Sequence, residues 1–117
     1  MSSEVVKISK DAVYATGKRK DAVARVWMLK GSGKIFVNGK IYSQYFKRPV
    51  HQLIIEKPLA ITKSKDMFDI VCTVKGGGMS GQAGAVTHGI SKALVGSSPE
   101  TRKVIKKNKM LTRDSRT

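Results

Sequence analysis

The sequence predicts a single domain of mixed α/β (α+β) class, and three features of its 117 residues predict it. Strand-like segments separated by turn residues fill 14–38, an alternating apolar/polar run occupies 67–75, and a glycine cluster opens onto apolar residues at helical spacing. A chain of this length forms one core, and that core leaves only a thin margin of stability.

Residues 1–12 are polar and mixed in charge and read as a flexible leader. The domain is expected over 13–111, with 112–117 beginning a basic extension. Tyr14–Lys18 reads as a first strand, Ala22–Lys30 as a longer second, and Lys34–Asn38 as a third after the turn Gly31-Ser32-Gly33, the set forming antiparallel hairpins. In the second strand Val23, Arg25, Trp27 and Leu29 share one face, and Ala22, Ala24, Val26 and Met28 the other. Both faces are mainly apolar, which makes it central.

Asn38-Gly39 closes the third strand. A helical turn over Ser43–Lys47 is interrupted at Arg48-Pro49, and a short helix, Val50–Glu56, is expected to stop before Pro58. After a polar connection the fourth strand, Met67–Lys75, alternates Phe68, Ile70, Cys72 and Val74 with Asp69, Thr73 and Lys75. Beyond the glycines, Ala83, Val86, Ile90, Ala93 and Leu94 recur as on one helix face until Gly96-Ser97. Ser98-Pro99-Glu100 carries the signals of a further helix start.

Charge narrows the function. Against 8 Asp and Glu stand 23 Lys and Arg, a formal net charge of +15. No acid occurs from Ala22 to Ile55, and from Arg102 to Arg116 the basic residues Arg102, Lys103, Lys106, Lys107, Lys109, Arg113 and Arg116 face the single acid Asp114. Such a chain seeks polyanions, and the density is that of a surface that displaces counterions from nucleic acid. No apolar run approaches the roughly 18 residues of a membrane span, and no basic amphipathic helix suits a lipid surface. The lone Cys72 sits in a strand pattern as a buried, inert thiol, consistent with a reducing compartment; no secretory signal begins the chain.

Gly76, Gly78 and Gly81 satisfy the dinucleotide-binding spacing between a strand and a helix. That fold also needs a second βα unit and an acid ending the next strand; Glu100 instead follows Pro99 at a helix start, and too few residues remain for a doubly wound sheet. The loop retains two readings. Its N–H groups and the following helix dipole can cradle a phosphate, with Lys75 and Lys92 adding charge and Ser80 and Gln82 hydrogen bonds, or the glycines serve only a tight strand-to-helix turn. Trp27 with Tyr14 offers a base-stacking platform, but core packing is the expected role of Trp27. His51 and His88 lack carboxylates at ligand or triad spacing, and the acids form no pair, so no catalytic residue, metal site or cofactor is assigned.

Three segments together resemble the bacterial and organellar family of the ninth protein of the small ribosomal subunit. They are Tyr14-Ala15-Thr16-Gly17-Lys18-Arg19-Lys20-Asp21-Ala22-Val23-Ala24-Arg25-Val26, then Val74-Lys75-Gly76-Gly77-Gly78-Met79-Ser80-Gly81-Gln82-Ala83-Gly84-Ala85 with His88-Gly89-Ile90, and Leu111-Thr112-Arg113-Asp114-Ser115-Arg116. The resemblance implies a mixed four-stranded sheet backed by helices, with a left-handed βαβ crossover that runs against the general right-handed rule. It implies a structural role in translation: binding ribosomal RNA of the 3′ major domain in the subunit head beside other head proteins, in the cytoplasm or an organelle, with no membrane. Carried over residue by residue, the RNA-facing positions are Lys18, Arg19, Lys20, Lys75, Gly76, Gly77, Gly78, Ser80, Gln82, Arg113 and Arg116. The family's long basic tail, which reaches toward tRNA, does not follow Arg116 in this sequence, so tRNA contact is not carried over.

Overall fold

The computed structural model describes residues 12–97. Five strands, β1 (Val13–Arg19), β2 (Ala22–Lys30), β3 (Ile35–Val37), β4 (Lys40–Ile41) and β5 (Phe68–Lys75), form one sheet in the order β1-β2-β5-β3-β4. The sheet is mixed: β3 and β5 run parallel, and the other neighbours are antiparallel. Helices α1 (Tyr42–Tyr45), α2 (Pro49–Ile61) and α3 (Met79–Ser97) complete the fold, with α1 and α2 inside the crossover that the parallel pair requires. As its two-sided apolar pattern predicts, β2 lies between β1 and β5.

The extra strand comes from Asn38-Gly39. Asn38 at φ +52 and Gly39 at φ +84 both take the left-handed conformation of a two-residue hairpin, so the chain folds back to pair Val37 with Lys40 and Phe36 with Ile41. Asn38 also substitutes for a strand residue. Its Nδ2 donates to the Val74 carbonyl at 3.0 Å, and its Oδ1 accepts the Val74 N–H at 2.9 Å.

One face of the sheet is closed by helices. Ala22, Ala24, Val26 and Met28 of β2 and Ile70, Cys72 and Val74 of β5 are buried with Ile55 and Leu59 of α2 and Val86, Ile90 and Leu94 of α3. Small residues let α3 come close to β1: a Cβ at Gly17 would lie 2.0 Å from the Ala85 carbonyl oxygen and 2.4 Å from the Gly89 nitrogen. The same proximity covers the exposed edge of the sheet. His88 Nδ1 accepts the Lys18 N–H at 3.3 Å, and Lys92 Nζ donates to the Thr16 carbonyl at 2.9 Å.

Contrary to the expected stop at Glu56, α2 starts at Pro49 and runs through Pro58 to Ile61. Proline has no N–H to give the carbonyl four residues back, which would leave that of Ile54 without its helical donor. Thr87 Oγ1 of α3 donates to it at 3.1 Å, and the last turn then buries Leu59. Beyond the helix, Lys63 at φ +55 ends the chain reversal: its N–H bonds the Ala60 carbonyl and that of Ser64 the Leu59 carbonyl, the double bond of a helix C-cap.

The 31–34 turn is anchored by one carboxylate. Asp69 Oδ1 accepts the N–H groups of Ser32 at 3.0 Å, Gly33 at 3.1 Å and Lys34 at 3.0 Å. Burial alone would push this carboxyl up, but the bonds from Lys34, Ser32 and Gly33 and the Lys34 charge outweigh it and hold the group below its ordinary range. A depressed folded value means that the stabilisation is present above the ordinary aspartate value of about 3.9 and lost as pH falls through the folded value. Asp69→Asn should therefore cost about 1.5–3 kcal/mol at neutral pH and flatten the acid limb of stability, measured by urea denaturation across pH.

Candidate nucleic-acid interface

The basic β1–β2 turn and the glycine loop, far apart in sequence, meet at one end of the sheet. Only Lys20 and Asp21 join β1 to β2, with Lys20 exposed at φ +55. The register sets Lys18 opposite Val23 and Val23 opposite Lys75, so both lysines stand in one cross-strand row. Two strand spacings separate their backbones, roughly 10 Å.

From Lys75 the chain leaves β5 into the loop 76–78, and residues 75–80 are all exposed. Gly76 has φ +85, and a Cβ there would lie 2.3 Å from the Asp21 carbonyl oxygen; Gly77 has φ +59 and faces the Ala22 nitrogen at 3.3 Å. Close packing under the β1–β2 turn therefore demands these two glycines. Gly78 differs: its φ is ordinary and nothing lies within 4 Å of a Cβ placed on it.

Helix α3 begins immediately, its first bond running from the Gln82 N–H to the Gly78 carbonyl at 2.9 Å. The N–H groups of the preceding turn lack intrahelical acceptors and sit at the positive end of the dipole of a 19-residue helix. Lys18, Lys20 and Lys75 are exposed around this end. Their chemistry is that of anion binding: fixed N–H donors for a phosphate oxygen, with mobile cations beside them.

The remaining candidates divide. Arg19 is half-buried with its stem against α3, where a Cβ on Gly84 would come within 2.8 Å of Arg19 Cγ. Ser80 is exposed in the first turn of α3. Gln82 braces the loop from inside, its Nε2 donating to the Gly76 carbonyl at 3.1 Å while its Oε1 accepts the Tyr45 hydroxyl at 2.7 Å. Lys92 does not serve the loop as expected: it lies about 20 Å along the helix from its start and is bound to the edge of β1. Arg113 and Arg116 fall outside the described residues, as does the helix expected from Ser98.

Trp27 is not in the core. It is half-buried on the sheet face away from the helices, its ring centroid 5.2 Å from that of exposed Tyr14. Arg25, on the same face and also exposed, is a further cation, not among the RNA-facing positions that the resemblance implies. The signal was present in the alternation of β2, which put Arg25 and Trp27 on one side.

Other reactive groups are turned inward. Burial pushes the Cys72 thiol up to about 12, and its Sγ lies 3.2 Å from the Phe36 carbonyl. His51 is buried edge-on to Phe46. Among the described residues no group of three or more His, Cys, Asp and Glu could hold a metal, and no helix is long and apolar enough to cross a membrane.

A small mixed α/β domain that displays fixed N–H donors and lysines at one end of its sheet defines a polyanion-binding protein. A family model described as Ribosomal protein S9/S16 matches residues 17–117, and the chain belongs to that family. Membership makes it a structural protein of the ribosome and not an enzyme. Ribosomal RNA and other small-subunit proteins are its partners, and the ribosome, cytoplasmic or organellar, is its location.

Proposed function

We propose that the domain is a scaffold for ribosomal RNA in the head of the small subunit, binding segments of the 3′ major domain and holding them together by neutralising their phosphates. The observation that carries this reading is the convergence of the β1–β2 turn with the glycine loop at one exposed, cationic end of the sheet. Lys18, Lys20 and Lys75 supply mobile charge there, and Arg19 adds a half-buried cation beside α3. The backbone of Gly76, Gly77 and Gly78, with Ser80, receives a phosphate, while Gln82 keeps the loop in shape. Arg113 and Arg116, outside the described residues, are proposed as further RNA contacts.

Gly78 tests the loop directly, since the fold makes no demand for glycine there. Gly78→Val should leave circular dichroism unchanged, cost no more stability than the loss of a favourable N-cap residue, about 1 kcal/mol, and weaken binding to a 3′ major domain RNA fragment about tenfold or more, the worth of a charge-assisted bond lost to a side chain in the way. Normal binding by the folded variant would remove the loop from the interface. Gly77→Val is a poorer probe, because its positive φ makes any side chain strain the turn itself.

A further inference from the structure

The sheet face turned away from α2 and α3 is laid out in rows by the register. Tyr14, Trp27, Val71, Phe36 and Ile41 stand side by side, one from each strand. None of these is buried, and Tyr14 is 50% and Ile41 45% exposed. The next row is Thr16, Arg25 and Thr73, and the one after it Lys18, Val23 and Lys75. Arg25, Thr73 and Lys75 line a groove of about 390 Å³ together with Val23, Asn38 and Val74.

An aromatic row beside a cationic one is selective in a way that neither is alone. Cations would accept duplex RNA, but paired bases are already stacked within the helix and expose only edges and backbone, so rings gain little from them. Rings alone would suit a protein surface, yet a protein would have to bring carboxylates to Lys18, Arg25 and Lys75. The single acid in the five strands, Asp69, stands opposite Leu29, on the far side of the aromatic row from Arg25, Lys18 and Lys75, so no strand acid interrupts the cationic rows. Unpaired RNA satisfies both rows, with bases stacking on rings and phosphates meeting cations.

We propose that this open face holds an unpaired RNA segment, its bases stacked on Tyr14 and Trp27 and its backbone along Arg25, Lys18 and Lys75. The inference rests on the chain being an RNA-binding protein, and it places an unpaired strand next to the glycine loop, with Lys18 and Lys75 shared between the two.

Trp27 is the only tryptophan, so its emission reports this face. The full chain is titrated with a mixed-sequence single-stranded oligoribonucleotide and with an RNA duplex of the same length, and binding is followed in parallel by the anisotropy of labelled RNA. The single strand should quench Trp27 saturably and the duplex should not. Tyr14→Ala should weaken single-strand binding about five- to a hundredfold, leaving duplex binding and circular dichroism unchanged. Both RNAs binding without quenching, or quenching alike, would overturn the proposal and leave the scaffold reading standing; neither binding would remove both. A photoreactive benzoylphenylalanine at position 14 in assembled subunits should attach to RNA, and attachment to a protein chain instead would assign the face to a protein partner and overturn the inference.

Discussion

Gly17→Val should abolish cooperative folding or leave only a marginal native state. A Cβ at this position would lie 2.0 Å from the Ala85 carbonyl oxygen and 2.4 Å from the Gly89 nitrogen, both of them α3 backbone atoms that no rotamer change can move. The helix would have to lift from β1, separating Ala83, Ala85, Val86, Ile90 and Leu94 from the sheet and loosening the bonds of His88 and Lys92 to the strand edge. A cost above about 4 kcal/mol is expected, a large fraction of the roughly 5–15 kcal/mol that holds a typical domain together. Urea denaturation followed by circular dichroism measures it, with Gly78→Ala, where a Cβ meets nothing, as the control. An unchanged midpoint for Gly17→Val would contradict the packing of α3 on β1.

The second large effect is electrostatic. Lys18→Glu combined with Lys75→Glu should leave the fold intact, because both side chains are exposed on strands. It should weaken binding to 3′ major domain RNA by roughly two orders of magnitude at low salt and reduce the slope of log K against log salt by about two. The difference from the unaltered chain should shrink as salt rises. Filter binding across a salt series measures both quantities, and an unchanged slope would mean that neither lysine meets a phosphate.

Much of the sheet was legible in the sequence because its strands alternate. The two-sided apolar pattern of β2 located it centrally, and the pattern of β5 separated buried Ile70, Cys72 and Val74 from outward Thr73 and Lys75. What escaped depended on partners distant in the chain. Pro58 reads locally as a stop, and the group that meets the Ile54 carbonyl it leaves, Thr87, is brought over by α3 from far along the chain. Trp27 reads as core by size, but which face of β2 the helices cover is decided by Ala22, Ala24 and the glycines that let α3 approach.

The interface shows the same division. The glycine spacing was visible, but the reason for each glycine was not: Gly76 and Gly77 serve the packing under Asp21, while a side chain on Gly78 would meet nothing inside the protein. Lys92 illustrates the opposite error, since proximity in sequence to the loop suggested a shared role, whereas helical rise carries it to the middle of β1. Neither distinction has a local signature, because each depends on where a strand and a helix cross.

The most direct test of the scaffold reading uses Ser80→Cys, with an iron chelate tethered to the new thiol in assembled small subunits. Cys72 does not compete for the label, since it is buried with its thiol pushed up to about 12. Ser80 is exposed at the start of α3, beside the glycine loop, so hydroxyl radicals formed there cleave RNA that lies against the proposed interface. Cleavage confined to the 3′ major domain is the predicted result; cleavage only elsewhere in the subunit RNA, or none in subunits that carry the labelled chain, would contradict it.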